Sequence, residues 1–410
     1  MYVLRLTPHF YWPQLQNTGW PVPFDTIGGM QTQIFRQTLG LSNLGVKQTV
    51  LTLKVPGTPD DWHWNERVTV RGVRVPVFPM RSRTRGMMDL NVSWALGVVS
   101  DVLRHHPSCD IVHVHCSGVS WPLLVGMSVS RLLKARLVLT IHCSILATYE
   151  AMHALDHALQ PIARNVERMA LRRADHTVVL SPRVRQALLE KTKMPAEALS
   201  IIPDSLDVDL FRSWATAEAI ADFRQRFNLT AACPIITYVG RIAREKGWRH
   251  LVEIAERLKH RPFHLLICGD GNERDLLEAE LARRGLSDYC TITGYLPQET
   301  IPATLAVSSV LILPSTHEEF GGVLIEAMAM LVPPVAFAVG GVPDTVQDGK
   351  TGLLVPAGDI AAMVGAIERL LDDPAFAKRL GDAGLVHVQR NFTLDAACHA
   401  LYEIYQRISP

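Results

Sequence analysis

The chain has 410 residues, 48% hydrophobic and 20% charged, which is the composition of folded globular domains and excludes a disordered chain. Its length calls for two or three domains, each large enough to bury its own core. Forty-one Lys and Arg set against forty Asp and Glu leave a formal charge of +1, which excludes the broad cationic field of a dedicated nucleic-acid binder.

Apolar runs at Tyr2–Leu6, Val46–Leu53, Val68–Phe78, Asp110–His115, Arg136–His142 and His176–Leu180 predict strands. Amphipathic patterns at Gln31–Leu44, Asn91–Arg104 and Pro161–Arg173 predict helices between them. Beyond turn-formers at Ile202–Ser205, strands are expected at Ile235–Gly240, His264–Cys268, Val310–Pro314, Val335–Ala338 and Gly352–Val355, again with helices in between. From Ala375 to Ile408 only helical patterns follow, a tail able to pack across both domains. No apolar run reaches the ~18–20 residues of a membrane span. Polar residues and prolines follow Leu6 where a signal peptide would need an apolar stretch, so the sequons at Asn91, Asn228 and Asn391 carry no meaning and a cytoplasmic location is expected. The seven cysteines are never spaced C-x-x-C and read as reduced thiols without a zinc site.

Alternation of strand and helix implies two doubly wound α/β domains, joined near Ile202–Ser205, with a ligand cleft at their strand ends. The chemistry concentrates in two strand-to-helix segments. One runs from Pro314 to Met328, where Phe320, Val323, Leu324, Ala327, Met328 and Leu331 fall at helical spacing as a buried stripe. Glu326 lies off that stripe, on a face shared with Gly322 and Glu319, and the N–H groups of Gly321, Gly322 and Val323 can receive an anion. The same residues also read as a solvated acidic helix start, which suits the macrodipole. In the other, Gly240 ends a strand, Arg241 and Lys246 occupy the loop, and a helix starts after Gly247. Two cations at a helix N-terminus suit a diphosphate, although a solvated loop gives the same pattern. The turn Gly269-Asp270-Gly271 is a third, weaker glycine signal at that edge.

Glu318 and Glu326, with seven residues between them, resemble the E-x7-E motif of retaining glycosyltransferases of family four. The Gly240-Arg241 pair with Lys246-Gly247, the Gly269 turn, Gly340–Asp344, Gly28-Gly29 and His142 stand in that family's order, so the resemblance covers nearly the whole chain. It implies a GT-B fold: two Rossmann-like domains facing across a cleft, the first (1–204) binding acceptor and the second (205–385) binding nucleotide sugar, with the helix 386–410 returning to the first. By the same resemblance Arg241 and Lys246 bind the diphosphate, Gly240 and Gly269 line its site, and Glu326 holds the ribose hydroxyls. Glu318 and the backbone of Phe320, Gly321, Gly322 and Val323 then contact the donor sugar or its phosphates. Gly29 admits phosphate from the first domain, and His142 touches the sugar near the reacting centre. His142 also reads as a buried strand-end histidine.

The resemblance implies a hexosyltransferase that uses a UDP-sugar co-substrate, needs no metal or other cofactor, and retains anomeric configuration. Asp207-Val208-Asp209 imitates a D-x-D metal motif but lies at the domain join, outside that motif's context. Three departures from the family pattern stand out: Leu331 in place of glycine, Pro334 after Pro333, and Asp204-Ser205 in place of Asn-Gly.

For the acceptor, the stretches His142–Met152 and Val166–Ala174, with Asp156, Arg244–His250 and His317–Glu319, are similar to enzymes that glycosylate 2-deoxystreptamine in aminoglycoside biosynthesis. That likeness implies UDP-N-acetylglucosamine or UDP-glucose as donor and a small cationic aminocyclitol as acceptor, with Asp25 and Glu150 as candidate carboxylates for its amines. Phe10, Tyr11, Trp12, Trp20 and Phe24 lie in the long stretch between Thr7 and Gly29, a lid or a disordered loop. The alternative is a family-four enzyme acting on a lipid-linked or polysaccharide acceptor, with Arg81, Arg83 and Arg85 facing an anionic membrane or simply solvated. A dinucleotide-dependent oxidoreductase fits less well, because no G-x-G-x-x-G follows the first strand.

Overall fold

A computed structural model describes residues 1–11, 28–54, 58–73, 88–148, 154–230 and 233–409, with the backbone alone described at 88–90 and 154–156. The chain forms two compact units, Met1–Asp204 with Leu394–Pro410, and Ser205–Thr393.

The first unit carries strands β1 (Tyr2–Leu6), β2 (Lys47–Leu53), β3 (Asp61–Asn65), β4 (Val68–Val73), β5 (Ile111–Ser117), β6 (Arg136–Cys143), β7 (His176–Val179) and β8 (Leu199–Ile201). They form one sheet in the order β3-β4-β2-β1-β5-β6-β7-β8, parallel except for the antiparallel β3–β4 edge. Near-continuous apolar strands such as Val138–Ile141 need cover on both faces, as parallel sheets do. Leu4, Leu6, Val112, Val114 and Trp94 fill one side, and Val3, Ile111, Val138, Leu401 and Tyr405 the other. The helix Leu394–Ile408 thus caps the sheet of the first unit.

The second unit carries β9 (Ile235–Val239), β10 (His264–Cys268), β11 (Cys290–Gly294), β12 (Val310–Leu313), β13 (Pro334–Phe337) and β14 (Leu353–Val355). All are parallel, in the order β11-β10-β9-β12-β13-β14. The order reverses between β9 and β12. At such a switch point the loops leaving the strand ends diverge and open a crevice.

Two expectations need correction. The second unit extends to Thr393, not 385, and the returning segment starts at Leu394, not 386. The helix Pro374–Asn391 runs unbroken across that boundary, with Gly381 against Leu331 and Gly384 against Met328. The buried stripe also ends sooner than its spacing suggests: Val323 is half-buried, and Leu331 is 40% exposed in the turn after the helix. Among the described residues, no helix is long and apolar enough to cross a membrane.

Leu331 has φ +64°, the left-handed conformation that glycine adopts without penalty. A branched side chain held there costs ~1–2 kcal/mol, and its burial recovers little of that. Leu331→Gly is therefore expected to raise the stability of the second unit by about 1 kcal/mol, or ~2–4 °C in melting temperature. An unchanged or lower melting temperature would contradict this account.

Candidate active site

At the switch point of the second unit, the loops after β9 and β12 are tied together. The loop after β9 makes a tight turn at Arg244–Lys246, then Gly247 (φ +76°) starts the helix Trp248–Leu258. A Cβ on Gly247 would lie 1.9 Å from the Pro314 carbonyl oxygen, so only glycine lets the loops approach this closely. Thr316 N–H donates to the Glu245 carbonyl at 2.9 Å, and His250 Nδ1 lies 3.0 Å from the Pro314 oxygen. These contacts place Lys246 beside Glu318: Nζ donates to Oε1 at 2.7 Å, and Ser315 Oγ donates to the same oxygen at 2.9 Å. Among the described residues Glu318 Oε2 makes no hydrogen bond, which leaves it able to accept from a hydroxyl.

Arg241 follows Gly240 at the end of β9 and forms an ion pair with Glu245 at 3.0 Å. Its backbone is held from below. The Tyr238 hydroxyl donates to the Arg241 carbonyl at 2.6 Å, and burial, reinforced by Glu318, raises the phenol so that it keeps its proton. Gly269 N–H donates to the Gly294 carbonyl at 3.0 Å, and Gly240 N–H to the Cys268 carbonyl at 2.9 Å, so the loops after β9, β10 and β11 form one rigid edge.

The helix Gly322–Ala329 starts from Gly321, and nothing crowds the position a Cβ would take on Gly322. Its first N–H groups and positive dipole end suit an anion. The Phe320 ring is buried edge-on to Phe392, so only its backbone can meet a ligand. Glu326 is half-buried and accepts from Gln298 Nε2 at 3.0 Å. Glu319 precedes the helix and does not share the face of Glu326; it lies 3.3 Å from His317, and that contact raises the imidazole above its ordinary value. Asp207 accepts from the Leu210 N–H at 3.0 Å as the cap of the helix Val208–Ser213.

In the first unit, Gly29 opens the helix Gly29–Asn43 and is exposed, with nothing near the place a Cβ would occupy. His142 lies at the end of β6, buried, with Nε2 3.2 Å from His115 Nδ1. Asp25 and Glu150 lie outside the described residues, as do Trp12, Trp20, Phe24, Arg81, Arg83 and Arg85. Sequence reasoning missed Tyr238, Ser315 and Gln298. Each looks like an ordinary strand, turn or helix residue until the fold turns it toward a motif residue.

Replacing Glu326 tests its part alone. Glu326→Gln keeps the size and still lets the Gln298 amide donate, so folding should survive. A neutral acceptor binds a hydroxyl more weakly than a carboxylate, and the donor KM should rise about tenfold, or ~1.4 kcal/mol. An unfolded variant would instead make Glu326 structural.

Residues 27–210 match Glycosyltransferase Family 4, and residues 220–386 match the glycosyl transferases of group 1. The 2-deoxystreptamine glucosyltransferase of Streptomyces kanamyceticus is 38% identical over 84% of this chain and 90% of that protein. The 2-deoxystreptamine N-acetyl-D-glucosaminyltransferase of Streptomyces fradiae is 38% identical over 89% of this chain and 87% of its own length. Among solved structures, sucrose-phosphate synthase from Thermosynechococcus elongatus superposes with a TM-score of 0.83 at 26% identity, covering 99% of this chain and 98% of that one.

Proposed function

The chain belongs to glycosyltransferase family four, and on that premise we propose that it transfers N-acetylglucosamine or glucose from a UDP-sugar to 2-deoxystreptamine, with retention of anomeric configuration. The two relatives at 38% identity share that acceptor and differ in the sugar, which is why one acceptor and two sugars are named. The observation that carries the donor half is the Lys246–Glu318 pair at the switch point, beside Arg241 and the N-terminus of the helix Gly322–Ala329.

Sugar transfer passes through an oxocarbenium-like state while the diphosphate departs with its charge. In this reading Arg241 and Lys246 stabilise the leaving group, taking the part a divalent metal plays elsewhere. Glu318 Oε2 and Glu326 accept from hydroxyls of the sugar and the ribose. In the first unit, His142 is assigned to the donor sugar and Gly29 to the phosphates. Asp25 and Glu150 remain the proposed partners of the acceptor amines.

A matrix of UDP-, ADP- and GDP-sugars against aminocyclitols and neutral cyclitols, read by mass spectrometry, tests the reading. A hexosylated 2-deoxystreptamine formed only from a UDP-sugar is expected. Equal turnover of a cyclitol lacking both amines would overturn the acceptor, and preference for another nucleotide would overturn the donor.

A further inference from the structure

Period-two alternation puts Arg5 of β1, His113 and His115 of β5, and Thr140 and His142 of β6 on the sheet face covered by the helix Leu394–Ile408. Arg5 is wholly buried, and its guanidinium donates to Gln48 Oε1 at 2.7 Å, His115 Nε2 at 3.0 Å and Tyr405 Oη at 3.3 Å. None of these acceptors is a carboxylate.

The protons in this chain can be placed by elimination. A guanidinium only donates and keeps its charge. Nε2 of His115 must therefore accept, which puts the single proton of a neutral ring on Nδ1. That Nδ1 lies 3.2 Å from His142 Nε2, so His142 accepts there and carries its own proton on Nδ1. A second arm leads away from the site: the Tyr405 hydroxyl meets His113 Nδ1 at 2.6 Å, and His113 Nε2 meets Thr140 Oγ1 at 2.8 Å. Burial keeps all three rings neutral. It pushes His142 down to about 3, and in His113 and His115 the charge of Arg5 adds to the effect of burial.

We propose that Arg5 and His115 are positioning residues that hold His142 as the neutral Nδ1–H tautomer, so that it serves sugar transfer as a fixed hydrogen-bond donor to an oxygen of the nucleotide sugar and not as a base. This rests on the assignment of His142 to the donor. The polarity is the reverse of a carboxylate–histidine pair, in which the anion orients the ring as a proton acceptor. A guanidinium behind the relay makes Nδ1 of His142 a donor, which suits a hydroxyl oxygen of the donor sugar as its acceptor.

The test is a long-range 1H–15N correlation spectrum of the full chain labelled with 15N-histidine, with His142→Gln to assign the resonance. A pyrrole-type Nδ1 and a pyridine-type Nε2 at His142, unchanged between about pH 5 and 8, are expected. The Nε2–H tautomer or an imidazolium would overturn the proposal. These spectra need no substrate, so an error in the proposed reaction leaves them decisive. For the kinetic role, His115→Gln keeps one acceptor and one donor in the relay, whereas His115→Leu keeps neither. His115→Leu is expected to lower kcat about tenfold and disturb the His142 signature, while His115→Gln returns kcat to within about threefold of the wild type. Equal losses in the two variants, with an unaltered His142 signature, would reduce His115 to a packing residue. If His115→Leu does not fold, the wild-type spectrum alone decides the tautomer.

Discussion

Lys246→Ala should lower kcat/KM by about 10²- to 10³-fold, or ~2.7–4 kcal/mol, the scale of losing one donor aimed at developing negative charge. Arg241→Ala should cost a similar ~2–4 kcal/mol, from roughly 30-fold upward. The two cations are not equivalent in the free protein. Arg241 pairs with Glu245 at the surface, its side chain 44% exposed, and such a pair contributes little to stability. Lys246 holds Glu318, whose side chain is only 10% exposed, so removing the ammonium leaves a poorly solvated carboxylate without its counter-ion. A stability loss of ~1–3 kcal/mol should accompany the rate loss for Lys246 and be absent for Arg241. A double-mutant cycle separates the two effects of Lys246. In a Glu318→Gln background, Lys246→Ala should no longer destabilise the fold but should still cost at least tenfold in rate, because in the proposed reading the phosphates lose one of their two cations whatever residue 318 is. Near-wild-type turnover of folded Lys246→Ala would remove Lys246 from the leaving-group site. A rate loss that vanishes in the Glu318→Gln background would reduce it to a holder of Glu318.

Strands with strong apolar runs were legible in the sequence: Tyr2–Leu6 and His264–Cys268 have the expected ends, and most others differ by a residue or two. The strands that were missed share a physical cause. β3 is an edge strand with alternately exposed residues, Asp61 to Asn65, so it lacks the apolar signal of a buried strand. β11 (Cys290–Gly294) is a half-buried edge strand of small and polar residues, and β8 has three residues, too few for any period to show. At the site, most motif glycines and charges were legible because they lie in the loops that follow β9, β10, β12 and β13, with Glu326 on the helix that follows β12. Their pairings were not, since Lys246 and Glu318 are far apart in sequence and meet only where β9 and β12 lie side by side. The His113–His115 relay was hidden differently. Its alternation marks two inward side chains, but only the neighbouring Arg5 and the distant Tyr405 make those positions polar.

Gly340→Ala tests how firmly the fold holds Glu318. Gly340 follows β13 with φ +53°, and a Cβ there would lie 1.7 Å from the Glu318 carbonyl oxygen. The neighbouring Gly341 N–H donates to that same oxygen at 3.1 Å. Two penalties would therefore combine in the variant, and a control separates them. Gly349 has a similar φ of +69° with nothing within 4 Å of its would-be Cβ, so Gly349→Ala meets only the left-handed conformation, at ~1–2 kcal/mol. Gly340→Ala adds a backbone clash that no rotamer can relieve, another ~1–3 kcal/mol. Relief requires the Glu318 backbone to move, and its carboxylate is tethered to Lys246 and Ser315, so the displacement reaches the cation as well. A misplacement near 1 Å at a reacting centre costs ~10²-fold in rate. Gly349→Ala should thus lower the melting temperature with kinetics unchanged, while Gly340→Ala lowers it further and cuts kcat/KM by about 100-fold even where the protein remains folded. Matching melting temperatures and matching rates in the two variants would show that Gly340 does not position Glu318, and that its ties to Lys246 and Ser315 hold the carboxylate without it.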